Sequence, residues 1–324
     1  MSSQSEDTVD SIGFDGGELI ERFAADCELR GLTSESIRGY KGNLRIVSKF
    51  LNRNGLTLAD LNRQSLKTVL NYLTSERGVT PQTVGDYFSA LSSLYKYLIW
   101  EELAEANPIL PFRERYLSQY KNSRGNTTSE RKLITVSEMA TLINSVLDPR
   151  GKAVITLLAK TGVRRGELVD VNIDDVDWEN QRIKLKPKAK RSNRIVFFDD
   201  ETAIILRRWL RARENYKLNP GCGALFVGEH GGRLGRNGVY YSVVKHAERV
   251  GLHDSSSPRL EDHFSPHCCR HWFTTYLRRN GMSREFIKEL RGDSRGEAID
   301  IYDHIDTDEL RKAYLAAIPR LGII

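Results

Sequence analysis

The chain has 324 residues, 40% of them hydrophobic, a length and apolar content that suit two cored domains rather than one. It carries +6 at neutral pH with a pI near 9.0, a mild excess that favours polyanionic partners without requiring them. No run of eighteen apolar residues occurs, which excludes a helical membrane span, and the four cysteines (Cys27, Cys222, Cys268, Cys269) lack the spacing of a secreted disulfide framework, so reduced thiols are expected.

Residues 1–16 are polar and acidic, with neither the cationic start nor the apolar centre of a signal peptide. They read as a disordered leader on a cytoplasmic protein. Residues 17–110 read as helices only. "ELIERFAADCELRG" stops at Gly31, and "TSESIRGYKGNLRIVSKFLNRNG" opens on a Ser/Thr cap and stops at Gly55. Leu58 to Thr74 supplies a third helix. The fourth opens with Thr80 as cap and Pro81 in the first turn, and its Tyr87, Leu91, Leu94 and Leu98 predict one buried face. Asn107-Pro108 ends this four-helix bundle.

Residues 111–132 read as a basic inter-domain linker. From Arg113 to Lys132, six basic residues, Lys121 and Arg124 among them, face two acids. From 133 to 324 the pattern is mixed. A helix starts after Ser137 or Thr135, and "GKAVITLLAKTG" is an apolar helix ending at Gly162. Short strands surround Ile183–Leu185 and "RIVFF", and 186–193 forms the hairpin connection between them. Helices then run to the end. The expected fold class is therefore mainly α with a small antiparallel β-hairpin or sheet in the second domain. Arg182 to Arg194 contains seven basic residues and no acid, a pattern suited to a polyanion through counterion release. Lys186, Lys190 and Arg191 are its candidate contacts to such a polyanion.

"SPHCCRHWFTTYLRRNG", starting at Ser265, poses a choice between a metal site and a phosphate site. Ser265 caps a helix with Pro266 in its first turn, so His267 lies at the positive end, where anions are favoured. His267, Arg270, His271 and Thr274 share one helical face. Cys269, Trp272, Phe273 and Tyr276 form an apolar one, with Cys268 off to the side. Zinc needs about four converging ligands, and His263 lies before the cap. The arginine fork suits phosphate oxygens, so the phosphate reading is favoured and no metal is expected.

"TGVRRGEL" places Arg164 after the glycine that closes an apolar helix, "KPKAKR" places Lys188 on the hairpin, and "AIDIYDHID" places Tyr302 near the C-terminus. With TG-x-R-x-G-E-L, the hairpin lysine, H-x-x-R-H and I-Y in that order, the chain resembles the tyrosine recombinases, site-specific DNA breaking-and-joining enzymes. "RGDSRGEAIDIYDHID" is closest in flavour to the integrases of archaea and their viruses. The resemblance covers almost everything after the leader. It implies a helical core-binding domain, a catalytic domain, duplex DNA as partner and a homotetramer on DNA formed from free monomers or dimers. An accessory DNA-bending protein fits the same scheme. No cofactor is implied.

It further implies that Arg164 and Arg270 clamp the scissile phosphate and that Tyr302 attacks phosphorus, leaving a 3′-phosphotyrosyl link. Lys188 would protonate the departing 5′ oxygen, with Lys186 or Lys190 taking its place if the hairpin register shifts by one. His267 would bond a phosphate oxygen or accept the tyrosine proton. Glu167 reads as a structural partner of an arginine or a helix end.

Asp293 breaks the pattern, standing where the family commonly has a phosphate-binding histidine. Either it orients an arginine or His267, or it is protonated, or another donor such as His304 or Arg291 replaces the histidine. We expect the first, a supporting role shared with His271 and His304. The apolar end of "DELRKAYLAAIPRLGII" either folds on its own core or, as the resemblance implies, docks on a neighbouring protomer. A type IB topoisomerase-like relaxing activity and a cleavage-deficient DNA-binding regulator are the alternative functions.

Overall fold

The computed structural model describes residues 16–118, 132–187, 193–257, 259–293 and 305–323. The chain divides into two compact units, Met1–Thr128 and Ser129–Ile324. The fold is mostly helical, with a single three-stranded antiparallel sheet among the described residues.

The first unit is a helical bundle. Helix α1 (Gly16–Leu29) buries Leu19, Ile20, Phe23, Ala24 and Cys27, a stripe at helical spacing. Helix α2 (Ser34–Arg53) starts where the Thr33 hydroxyl accepts from the Ser36 amide at 3.2 Å. Helix α3 (Arg63–Asn71) begins later than its apolar pattern suggests. The Asn62 carboxamide oxygen accepts from the Gln64 and Ser65 amides, and this cap leaves Leu58–Leu61 irregular. Helix α4 (Pro81–Trp100) opens on Thr80 and Pro81, and Tyr87, Leu91, Leu94 and Leu98 are all buried. Tyr95 is buried beside them. Its hydroxyl donates to the Ala59 carbonyl and accepts from the Leu61 amide, and burial pushes its pKa up to about 12.

The short helix α5 (Ile109–Phe112) continues into a π-type turn over Arg113–Leu117. The sequence pattern assigns 111–118 to the linker, but here the segment packs on the bundle. Phe112 stacks on Phe88 at 5.3 Å, and Leu117 is buried in the same core. An apolar residue every four or five positions suffices to dock so short a segment, even among charges. The rest of the expected linker, with Lys121 and Arg124, lies outside the described residues.

In the second unit, α6 (Val136–Ser145) is capped by Thr135, whose hydroxyl and amide exchange bonds with Glu138. Helix α7 (Pro149–Thr161) is almost wholly buried and ends at Gly162, whose φ of +61° suits glycine. The short helix α8 (Arg165–Asp170) follows at once. Strands β1 (Val176–Asp177), β2 (Arg182–Lys184) and β3 (Ile195–Phe197) pair in that order, with Lys184 opposite Ile195. The connection between β2 and β3 carries Lys186. Residues 188–192, with Lys188, Lys190 and Arg191, lie outside the described residues.

Helices α9 (Asp200–Arg213), α10 (Arg236–Arg249) and α11 (Pro266–Arg279) pack around α7. Helices α12 (Arg284–Arg291) and α13 (Thr307–Ala317) close a smaller apolar cluster of Phe197, Phe273, Leu277, Leu290 and Tyr314. The apolar tail folds back onto its own chain, with Leu321 and Ile323 buried in the main core. Of the two placements open from the sequence, the structure takes the one in cis.

Candidate active site

The site is built where α7 stops. A side chain at Gly162 would be strained by the positive φ and would collide with the Phe273 ring, so glycine lets the chain turn tightly beneath α11. That turn places Arg164 at the start of α8. The Arg164 amide donates to Glu167 Oε2 at 2.7 Å and its guanidinium Nη1 to Glu167 Oε1 at 3.0 Å. Buried Glu167 thus fixes both the backbone and the side chain of Arg164, the structural partner anticipated for that residue type.

Arg270 comes from the first turns of α11. Its side chain is buried: Nη1 donates to the Gly162 carbonyl at 2.6 Å and Nη2 to the Arg291 carbonyl at 2.9 Å. Burial, then the nearby Arg164 and Arg291, push its pKa down to about 10, while Asp293 and Glu167 oppose them. The group pays for its position mainly through lost hydration, and an anion in addition to Asp293 would offset more of that loss.

Asp293 joins the two arginines. Its Oδ1 accepts from Arg164 Nη2 at 3.4 Å and from Arg270 Nη2 at 3.2 Å, while Oδ2 faces Arg291 Nε at 3.1 Å. The carboxylate standing in the usual histidine's place therefore bonds guanidiniums, and Arg291 is engaged in the same cluster. His267 is exposed at the start of α11 and lines one cleft with Arg164 and Arg270. The cleft encloses about 380 Å³.

His271 is exposed one position beyond Arg270 and is not among the residues lining the cleft. Cys268 does not sit off to the side as its register suggests. It is buried like Cys269, because the capped first turn drives its thiol under the chain, where it donates to the His263 carbonyl and accepts from the Ser265 amide. Burial lifts the Cys269 thiol far above its ordinary range. Among the described residues, no three His, Cys, Asp or Glu side chains are grouped to hold a metal ion. Lys186 is paired with Asp175 at 2.8 Å. Tyr302, Lys188, His304, Lys190, Arg191, Lys121 and Arg124 lie outside the described residues.

Three residues of the cleft escaped the sequence reading: Arg165, Arg236 and Tyr240. Arg236 opens α10 after "GGRLG", a glycine-rich approach to a helix start that signals an anion site only weakly.

The phage integrase family profile matches residues 132–309, and the phage integrase N-terminal SAM-like domain profile matches residues 19–105. A tyrosine recombinase XerC from Herpetosiphon aurantiacus is 28% identical over 312 residues, spanning 93% of this chain and 94% of that protein. Another XerC, from Actinobacillus pleuropneumoniae serotype 7, is 26% identical over 289 residues and 89% of each chain. Two solved structures share the fold. The Tn1549 transposon integrase in complex with transposon right end DNA gives a TM-score of 0.66 at 19% identity, over 91% of this chain and 97% of that one. The XerH site-specific recombinase bound to palindromic difH substrate gives 0.66 at 20% identity, over 93% and 84%.

Proposed function

Since the chain belongs to the phage integrase family, we propose that it cleaves and rejoins duplex DNA at defined sites through a 3′-phosphotyrosyl intermediate on Tyr302. It is a tyrosine-type site-specific DNA recombinase. The observation that supports the residue roles is that Arg164 and Arg270 meet on one carboxylate oxygen and both line a cleft that His267 also lines.

Two guanidiniums aimed at one point suit a phosphodiester whose charge grows as phosphorus becomes pentacovalent. In this reading the Tyr302 phenol oxygen bonds to phosphorus and the bond to the 5′ oxygen breaks. The phenol proton passes to His267, and Lys188 supplies a proton to the leaving 5′ oxygen. The reverse steps, with a 5′ hydroxyl as nucleophile, rejoin the strand. The ester bond is conserved throughout, so the chemistry needs no nucleotide.

Asp293 acts in this scheme from behind the arginines, holding their Nη2 atoms together. Residues 17–118 serve as the core-binding domain and 133–324 as the catalytic domain, with 119–132 tracking the DNA backbone through Lys121 and Arg124. Lys186, Lys190 and Arg191 add contacts from the hairpin. The active assembly is a cytoplasmic homotetramer joining two sites, and dilution-dependent mass on and off DNA tests it.

Sequencing the junctions made in cells carrying the protein and its native element identifies the site. On a nicked suicide duplex built from that junction, a covalent protein–DNA adduct is expected, and Tyr302→Phe should remove it. Relaxation of site-free supercoiled plasmid as fast as junction DNA is cut would place the protein with the type IB topoisomerases. The absence of any adduct would leave a DNA-binding regulator.

A further inference from the structure

Cationic side chains dominate the described lining of the cleft. Arg164, Arg165, Arg236, Arg270 and His267 all line it, and among its described lining residues there is no carboxylate. At about 380 Å³ the cleft has room for more than a single phosphate group.

The charges fall into two groups. Arg164 and Arg270 converge on Asp293. Arg165 opens the short helix α8, and Arg236 opens the longer α10. The Arg165 guanidinium lies 5.9 Å from the centre of the Tyr240 ring, a cation–π contact that restrains it at the cleft wall. Arg236 lies across Gly166: a Cβ built there would come within 3.2 Å of its Nε and Nη2. The glycine inside R-x-G-E thus leaves room for a second guanidinium beside the first.

We propose that Arg236, with Arg165 on Tyr240, binds the phosphodiester next to the scissile one on the same strand, so that the cleft grips two consecutive phosphates. This rests on the recombinase reading above. Two anchored phosphates fix the direction of the strand and the rotation of the scissile phosphorus, which one phosphate alone cannot do. Arg236 is therefore a positioning residue, acting through the backbone it holds.

The test uses the full chain and nicked junction duplexes with a single neutral methylphosphonate at the phosphate 5′ or 3′ of the cleavage point. Arg236→Ala is expected to weaken binding of unmodified DNA about ten-fold and to lower the slope of log affinity on log salt by about one. Arg236→Lys should restore the slope, since it keeps the charge. A methylphosphonate at one flanking position should weaken the wild type but add nothing to Arg236→Ala. Equal penalties in both proteins at both positions overturn the second phosphate contact. So does wild-type affinity and salt slope in Arg236→Ala. Absence of adduct from wild type on unmodified DNA overturns the recombinase reading instead, which separates the two failures.

Discussion

Two of the basic side chains buried in the second unit, Lys160 and Arg270, are held in opposite ways. Lys160, near the end of α7, is fully buried, and its ammonium donates to Asp199 at 2.6 Å, Glu201 at 2.5 Å and the Pro319 carbonyl at 2.7 Å. Three donors meet three acceptors. Glu201 in turn accepts from the Leu321, Gly322 and Ile323 amides, so the knot ties the C-terminal tail to its own core. Arg270 is nearly as buried but makes three bonds with five N–H groups, and it shares Asp293 with Arg164 and Arg291. The lysine cluster, with two carboxylates for one cation, is sealed and complete. The arginine cluster opens on a cleft whose described lining is rich in arginine. A saturated network holds a fold together, whereas a buried guanidinium with N–H groups to spare at a cleft suits an anionic ligand.

This contrast breaks if the two clusters respond alike to mutation. The largest effect belongs to Lys160→Met, which strands Asp199 and Glu201 without their cation. It should cost about 3–5 kcal/mol of stability. Chemical denaturation reads the loss, and limited proteolysis should cut the tail after residue 318. Unchanged stability would show that the knot is ornamental. Next is Arg270→Lys, which keeps charge but loses the planar fork. Cleavage of the suicide duplex should fall about 10²–10³-fold, with thermal unfolding shifted much less than in Lys160→Met.

Glu167→Gln sharpens the comparison further, because it releases Arg164 without touching the clamp itself. Losing a charged bond of about 1.5 kcal/mol predicts roughly a ten-fold slower cleavage, recovered in part by raising DNA concentration. The smallest effect is expected from Asp293→Ala. Its carboxylate is about a third exposed and supports rather than reacts, so cleavage should drop several-fold. Abolition as complete as in Tyr302→Phe would place Asp293 among the reacting groups.

Much of this was legible locally. The cap-and-proline start at Ser265 and the glycine stop at Gly162 locate Arg270 and Arg164, since both signals act within one helical turn. Thr80-Pro81 locates α4 for the same reason. The character of Lys160 was not legible. A lysine in the last turn of a helix ordinarily reaches solvent, and its burial follows from α9 and the tail closing over it. Arg236 was equally hidden, because its approach to Gly166 joins residues far apart in the chain. The linker pattern misled at 111–118, where Phe112 and Leu117 outweigh the charges around them.

Composition, caps and ordered motifs alone determined that this chain is two mainly helical units, with Arg164 and Arg270 each placed by a local helix signal. Those signals depend on hydrogen bonds and side-chain spacing within a few residues. Only the tertiary structure decided that Asp293 bridges that pair, that Lys160 locks the tail in cis, and that Arg165 and Arg236 widen the cleft. Each of these depends on how helices distant in sequence pack, and so on which charges end up sharing one space.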